Sequence, residues 1–192
     1  MLESSDQQRL LALARRSLEA RVRRAGTAAP DVAAPLNMPR GAFVSIHHGT
    51  ALRGCLGRVS GDWAIGRVVA HLAEAVADSD PRFDPVGLHE LDALLIEISV
   101  LTPEREAAPA DVEVGRHGLI VEALGRRGLL LPQVAAEHGW DRTTFLRHTC
   151  VKAGLPPDAW KADARLYVFE AQVFGESAPV ASEQRERPDR RG

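Results

Sequence analysis

Two hydrophobic periods run along this chain, one of helical spacing and one of strand alternation. Leu10, Leu11, Ala14, Leu18 and Val22 recur every three or four residues, with Arg15, Arg16, Glu19 and Arg23 opposite them. That spacing predicts an amphipathic first helix whose arginines form a solvated face. Ser4 or Ser5 is placed to cap it, Gln7 or Gln8 takes the matching capping-box position, and Gly26 ends it. Residues 26–39 are rich in Ala and Pro and read as an extended connection. From Ala42 to His48 the period changes to two, with Phe43, Ser45 and His47 on one side and Val44, Ile46 and His48 on the other. His48-Gly49-Thr50 supplies a tight turn, and Ala51 to Val59 returns as a second strand. A two- or four-residue loop pairs Val44 with Cys55 and Ile46 with Arg53. A three-residue loop slips the register and brings Phe43, Ser45 and His47 onto the cysteine face. One histidine joins the face of Arg53 and Cys55 in either register, at the hairpin end. That distance argues against a direct Cys–His ion pair.

Asp62 is placed to cap a second helix with the stripe Ile65, Val68, Val69, Leu72 and Val76, which stops in the Asp/Pro-rich run 78–85. Leu91 to Leu101 is apolar on both faces and predicts a central strand. Glu97 interrupts it, either as a buried carboxylate that needs a partner or as a group reaching solvent. Leu119 to Leu124 reads as a strand, Gly125-Arg126-Arg127-Gly128 as a turn, and Leu129 to Leu131 as its returning partner. Asp141 caps a helix carrying Phe145, Leu146, Thr149, Cys150 and Ala153, closed by Gly154 and Pro156-Pro157. Ala164 to Phe174 reads as one last strand, and residues 177–192 as a disordered polar tail. Hairpins and helices without regular βαβ alternation predict an α+β fold, mostly antiparallel sheet with flanking helices.

Composition narrows the class. At 192 residues and 45% hydrophobic, the chain can bury a sizeable core, and no apolar run approaches the length of a membrane span. A net charge of −2 argues against nucleic-acid binding by bulk electrostatics and leaves only a local basic groove open. The N-terminus lacks a signal-peptide layout, and two distant cysteines provide neither a disulfide framework nor a Cys-x-x-Cys pair. A reduced, cytoplasmic protein is expected. Phosphate-binding glycine motifs, a nucleophile elbow and paired metal-binding histidines are all absent from the sequence, so neither a cofactor nor a metal is expected.

The chemistry-bearing stretch is LRGCLG, Leu52 to Gly57. Arg53 and Cys55 share a face of a regular strand, and Gly54 and Gly57 leave the surrounding surface without side chains. A thiol beside a guanidinium suits a small anionic or carbonyl-bearing ligand, although free cysteine is also a frequent core residue. A glycine inside a strand marks a bulge or a close backbone approach. Farther along, Asp80 and Arg82 of DPRF either bind a ligand or pair within their own loop, and Glu97 joins them as a candidate. His117, flanked by glycines and arginine in GRHGL, suits a general acid or base near neutral pH, or a turn cap. Cys150 lies on the apolar stripe of its helix and reads as core.

LRGCLG (52–57), DPRF (80–83), EISVL (97–101), GRHGLIV (115–121), GRRGLLLPQVAAEHGW (125–140) and FLRHTCVKAGLPPDAW (145–160), in that order, resemble the AMMECR-type domain family. The likeness runs from about the first helix to Glu176, with Leu56 where the family more often has isoleucine. It implies a single domain over 1–176, with a larger lobe holding both termini, a smaller lobe, and a groove between them near LRGCLG. It also implies kinship with the A component of the AmmeMemoRadiSam set, and hence a Memo-like protein and a radical S-adenosylmethionine protein as partners. Carried over, the family supports Arg53, Gly54, Cys55 and Gly57 as a site, with Asp80, Arg82 and His117 as secondary candidates. Two functions fit. One is an accessory enzyme of a modification or biosynthetic pathway, with Cys55 as nucleophile or thiol carrier, Arg53 orienting the substrate and His117 moving protons. The other is a non-catalytic module that docks a partner through the LRGCLG surface.

Overall fold

A computed structural model describes residues 1–177, and their apolar positions sort into two main cores, each backed by its own antiparallel sheet. In the first, strands β1 (Ala42–His48), β2 (Ala51–Arg58), β3 (Leu94–Leu101) and β8 (Ala171–Gly175) lie in the order β2-β1-β3-β8. Val44, Ile46, Ile96 and Ile98 project from one face and are fully buried against helices α1 (Ser4–Val22) and α2 (Ile65–Ala75). The helical stripes and the central position of β3 follow the sequence expectation.

The helix ends do not, and on the arginine face Arg16 and Arg23 are exposed as expected while Arg15 is not. Glu3, not a serine, is the N-cap of α1 and makes no side-chain cap bond, and the helix stops at Val22 with Arg24 in the left-handed region at φ 55°. Arg15 ion-pairs with Glu176 and donates to the carbonyls of Leu91 (3.1 Å) and Leu94 (2.8 Å), so it ties α1 to the sheet rather than lying in solvent. Its long stem spans that distance, which periodicity on one helix cannot register. Asp62 does not cap α2 either. It accepts from Ser60 Oγ at 2.8 Å and pairs with Arg58, while the first amides of α2 are satisfied by backbone: Ile65 N donates to Met38 O (2.9 Å) and Gly66 N to Leu36 O (3.1 Å). The extended connection thus supplies the acceptors that a capping side chain would otherwise provide.

The second sheet has the order β4-β7-β5-β6, from β4 (Arg105–Glu106), β5 (Gly118–Ala123), β6 (Arg126–Leu130) and β7 (Arg165–Phe169). Helix α4 (Arg142–Lys152) buries Phe145, Leu146, Thr149 and Cys150 in this lobe, and Asp141 caps it by accepting from Thr144 N at 2.7 Å. A short helix α3 (Pro132–Glu137), with Pro132 in its first turn, occupies a stretch the sequence pattern left unassigned. The second hairpin turns at Leu124-Gly125, both at positive φ, rather than at 125–128, and Arg126 to Gly128 belong to β6.

The expected last strand is two strands. The chain breaks at Glu170, leaving β7 in the second sheet and β8 in the first. Thr102 crosses beside it, with Thr102 N donating to Glu170 O (2.8 Å) and Glu170 N to Thr102 Oγ1 (2.9 Å). The pairs β3·β8 and β4·β7 therefore form one bent ribbon joining two lobes. Leu101, Ile120 and Phe169 bury a small third cluster at the junction, with Phe43, Leu129 and Tyr167 packed on it. Among the described residues no helix is long and apolar enough to cross a membrane. Apart from Ser177, the tail expected over 177–192 lies outside the described residues.

Candidate functional site

Cys55 sits on β2, the edge strand of the first sheet. The hairpin turn holds Gly49 at φ 61°, the first central position, where a two-residue turn favours glycine. His48 accordingly pairs with Ala51, the register of a two-residue loop. Two residues later the register slips: His47 pairs with Leu52 and Ile46 with Gly54, leaving Arg53 bulged and unpaired. From there on Ser45 opposes Cys55, the register expected of a three-residue loop. Both sequence alternatives are thus realised, one on each side of a bulge at Arg53-Gly54.

The bulge separates Arg53 from Cys55. Arg53 turns toward Glu90 and forms a two-point fork, Nε to Oε2 at 2.8 Å and Nη2 to Oε1 at 3.0 Å. Each ion stabilises the other's charged form. Arg53 is raised, chiefly by the Glu90 hydrogen bond, and Glu90 is lowered, chiefly by the Arg53 hydrogen bond. Gly54 points into the core, where an added Cβ would lie 3.0 Å from Val76 Cγ2. At Gly57 the Phe43 ring covers the position, 2.2 Å from where a Cβ would stand. The space both glycines leave is filled by the protein's own side chains.

What brackets Cys55 is DPRF. Asp80, 4% exposed, accepts from Cys55 N at 2.9 Å through Oδ2. Arg82 pairs with the same carboxylate, Nε to Oδ1 at 2.9 Å and Nη2 to Oδ2 at 2.7 Å, and Nη2 also donates to Cys55 O at 3.2 Å. The loop carboxylate and guanidinium thus take the places of the carbonyl and amide that a further strand would present. They close the open edge of the sheet at one residue. The Arg82 hydrogen bond, followed by the amides of Cys55 and Arg82, holds Asp80 well below the usual carboxylate range against the opposing effect of burial. Arg82 is raised, first by Asp80 and in smaller part by the nearby Cys55 sulfur, and its side chain stays 56% exposed.

Directly opposed residues share a sheet face, so Cys55, Ser45 and Glu97 form one row across β2, β1 and β3. Cys55 and Glu97 are two strand spacings apart, ~10 Å. His47 lies on that face beyond Ser45, and its Nε2 is buried without a partner among the described residues. His117 is elsewhere. It is 1% exposed at the start of β5, its Nδ1 accepts from Glu113 N at 3.1 Å, and Glu170 Oε1 stands 3.9 Å from its Nε2. The structure brings Cys55, Asp80 and Arg82 together, aligns Glu97 with the cysteine face and commits Arg53 to Glu90. It places His117 away from Cys55, with its Nε2 buried and without a hydrogen-bond partner among the described residues. The sequence reading did not find Glu90 as the partner of Arg53. A glycine following an arginine within a strand was the only local sign that the arginine would turn away.

A cavity of about 680 Å³ opens between the lobes. Val59, Ser60 and Gly61, just past LRGCLG, line it, but none of Arg53 to Gly57 does. The groove implied by the resemblance is present, and Cys55 lies outside its lining.

The AMMECR1 family model matches residues 11–174. A protein of Methanosarcina acetivorans is 45% identical over 163 residues, covering 82% of this chain and 80% of that protein. Protein PF1979 of Pyrococcus furiosus is 41% identical over 184 residues, covering 88% of each. The crystal structure of the uncharacterized protein PH0010 from Pyrococcus horikoshii superimposes with a TM-score of 0.76 at 41% identity, covering 88% of this chain and 91% of that one. The chain belongs to the AMMECR1 family.

Proposed function

We propose that this protein is an accessory enzyme of a modification or biosynthetic pathway that works through the thiol of Cys55, with Arg82 rather than Arg53 as its cation. The observation that carries this reading is the Arg82 guanidinium. It is anchored by Asp80, held 3.2 Å from Cys55 O and still more than half exposed beside a half-buried thiol. A cation near a cysteine favours the thiolate, which is the nucleophile. Cys55 Sγ, as thiolate, adds to a substrate carbonyl carbon while the carbonyl pair moves onto oxygen, and Arg82 is the cation within reach of that charge. Arg53 serves in this scheme as a positioning residue that fixes the bulge through Glu90.

Alkylation by iodoacetamide, followed by mass spectrometry of the native protein, tests the idea. Cys55 is expected to label while Cys150, buried and with its thiol pushed up by burial, does not. Arg82→Gln is expected to slow Cys55 labelling at fixed pH by removing a cation beside the thiol, and Arg82→Lys to recover part of it. Equal inertness of both thiols, or a rate indifferent to Arg82→Gln, overturns the reading.

The docking alternative has its own support in exposed Leu52 (40%) and Leu88 (60%), on either side of the Arg53–Glu90 fork. Under it, a Memo-like or radical S-adenosylmethionine partner binds this end of the sheet. Capture of either partner would then survive Cys55→Ser and fail with Leu52→Asp.

A further inference from the structure

A cavity lies between the lobes, and the thiol reading does not use it. Its floor is apolar, built by Leu101, Ile120 and Phe169, the cluster that joins the two sheets. Its volume of about 680 Å³ falls within the range of small-molecule sites, which are mostly apolar with a few placed polar groups. Two arginines reach it. Arg127 is already neutralised, paired with Glu104 and, at 2.9 Å, with Glu122. Arg40 is different: its guanidinium donates to Pro39 O at 3.0 Å and has no carboxylate partner among the described residues. The residue is half-buried with its guanidinium at the exposed mouth of an apolar cavity. Without a counter-ion of its own among the described residues, it is placed to pair with the anionic group of a ligand.

We infer that this cavity binds a small organic monoanion with a flat apolar body, such as an aromatic carboxylate or sulfonate, with Arg40 holding the anionic group. The body lies on Ile120 and Phe169, and the charged end faces the 39–41 segment. Both lobes contribute, since Arg40 and Gly61 come from the first and Ile120, Arg127 and Phe169 from the second. A bound ligand therefore bridges the bent ribbon and favours one arrangement of the lobes. The cavity can be filled without breaking the fold at Gly61, where an added Cβ meets nothing closer than 3.7 Å.

The test uses the full chain and two fluorescent probes, anilinonaphthalene sulfonate and its uncharged analogue N-phenyl-1-naphthylamine. The sulfonate is expected to saturate a single site. Its affinity falls about tenfold or more in Arg40→Gln, as expected for a lost charge-assisted hydrogen bond. Gly61→Leu removes that site, whereas Cys55→Ser leaves it intact, which separates this inference from the thiol reading. The uncharged probe binds more weakly and ignores Arg40→Gln. Absence of saturable sulfonate binding overturns the site, as does binding unaffected by both Arg40→Gln and Gly61→Leu. Equal binding of the two probes, or loss in Gly61→Leu without any effect of Arg40→Gln, overturns the anion specificity. Melting temperatures of the variants are measured alongside, and Arg40→Gln, a change at a half-buried surface side chain, decides the matter if Gly61→Leu does not fold.

Discussion

Asp80 is the residue on which the thiol site depends mechanically. One carboxylate accepts from Cys55 N and, through two oxygens, holds Arg82. Asp80→Asn keeps the shape, removes the charge and places an amide donor where an acceptor is needed. It is expected to cost ~2 kcal/mol in urea denaturation at neutral pH, moderated because Arg82 is largely in water. The pH dependence follows from the direction of the shift. The folded-state carboxyl is held below its unfolded value of ~3.9, so its contribution is complete above that value and is lost as pH falls through the depressed folded value. The stability gap between wild type and Asp80→Asn is therefore expected to be widest near neutrality and to narrow below about pH 4. A gap constant down to pH 2 would contradict this account. Arg53 teaches a related lesson. A side chain that reads as a ligand-binding group beside Cys55 is instead saturated by Glu90, thirty-seven positions away.

At the scale of elements, turns and bulges set what the strands present. Leu124 is 89% exposed and sits at φ 53° in the turn before Gly125. The left-handed region is strained for leucine and tolerated by asparagine, and the two positive φ values match a turn that favours Asn-Gly. Leu124→Asn is therefore expected to raise stability by about 1 kcal/mol, seen as a higher denaturation midpoint with unchanged slope. In the first hairpin, the bulge at Arg53-Gly54 moves Ser45 and His47 onto the cysteine face while sending Arg53 off it. One extra residue thus reverses which chemistry lies beside Cys55.

The whole molecule is two sheets sharing one bent ribbon, and Thr102 with Glu170 forms the bend. Thr102→Val keeps the shape but removes the acceptor for Glu170 N. A loss of ~1 kcal/mol is expected, together with faster hydrogen exchange at the Glu170 amide than at mid-strand amides. Unchanged exchange there would mean that packing of Leu101, Ile120 and Phe169 alone fixes the bend. The same junction, Leu101, Ile120 and Phe169, forms the floor of the inter-lobe cavity.

The sequence by itself determined the α+β class, the hairpin around LRGCLG, the apolar stripes of α1, α2 and α4, the central place of β3 and the burial of Cys150. All of these rest on periodicity or turn chemistry, which are properties of neighbouring residues. Only the tertiary structure decided the bulge register, the split of residues 164–174 between two sheets, and the partners of Arg15, Arg53 and Asp62. It also decided that His117 faces Glu170 rather than Cys55, and that the cavity is lined by Arg40, Gly61, Leu101, Ile120 and Arg127 rather than by Arg53 to Gly57. The reason is physical. A long polar side chain binds whatever the fold carries within several ångströms, and an unbroken alternation of apolar residues looks the same whether a strand stays in one sheet or crosses to the next.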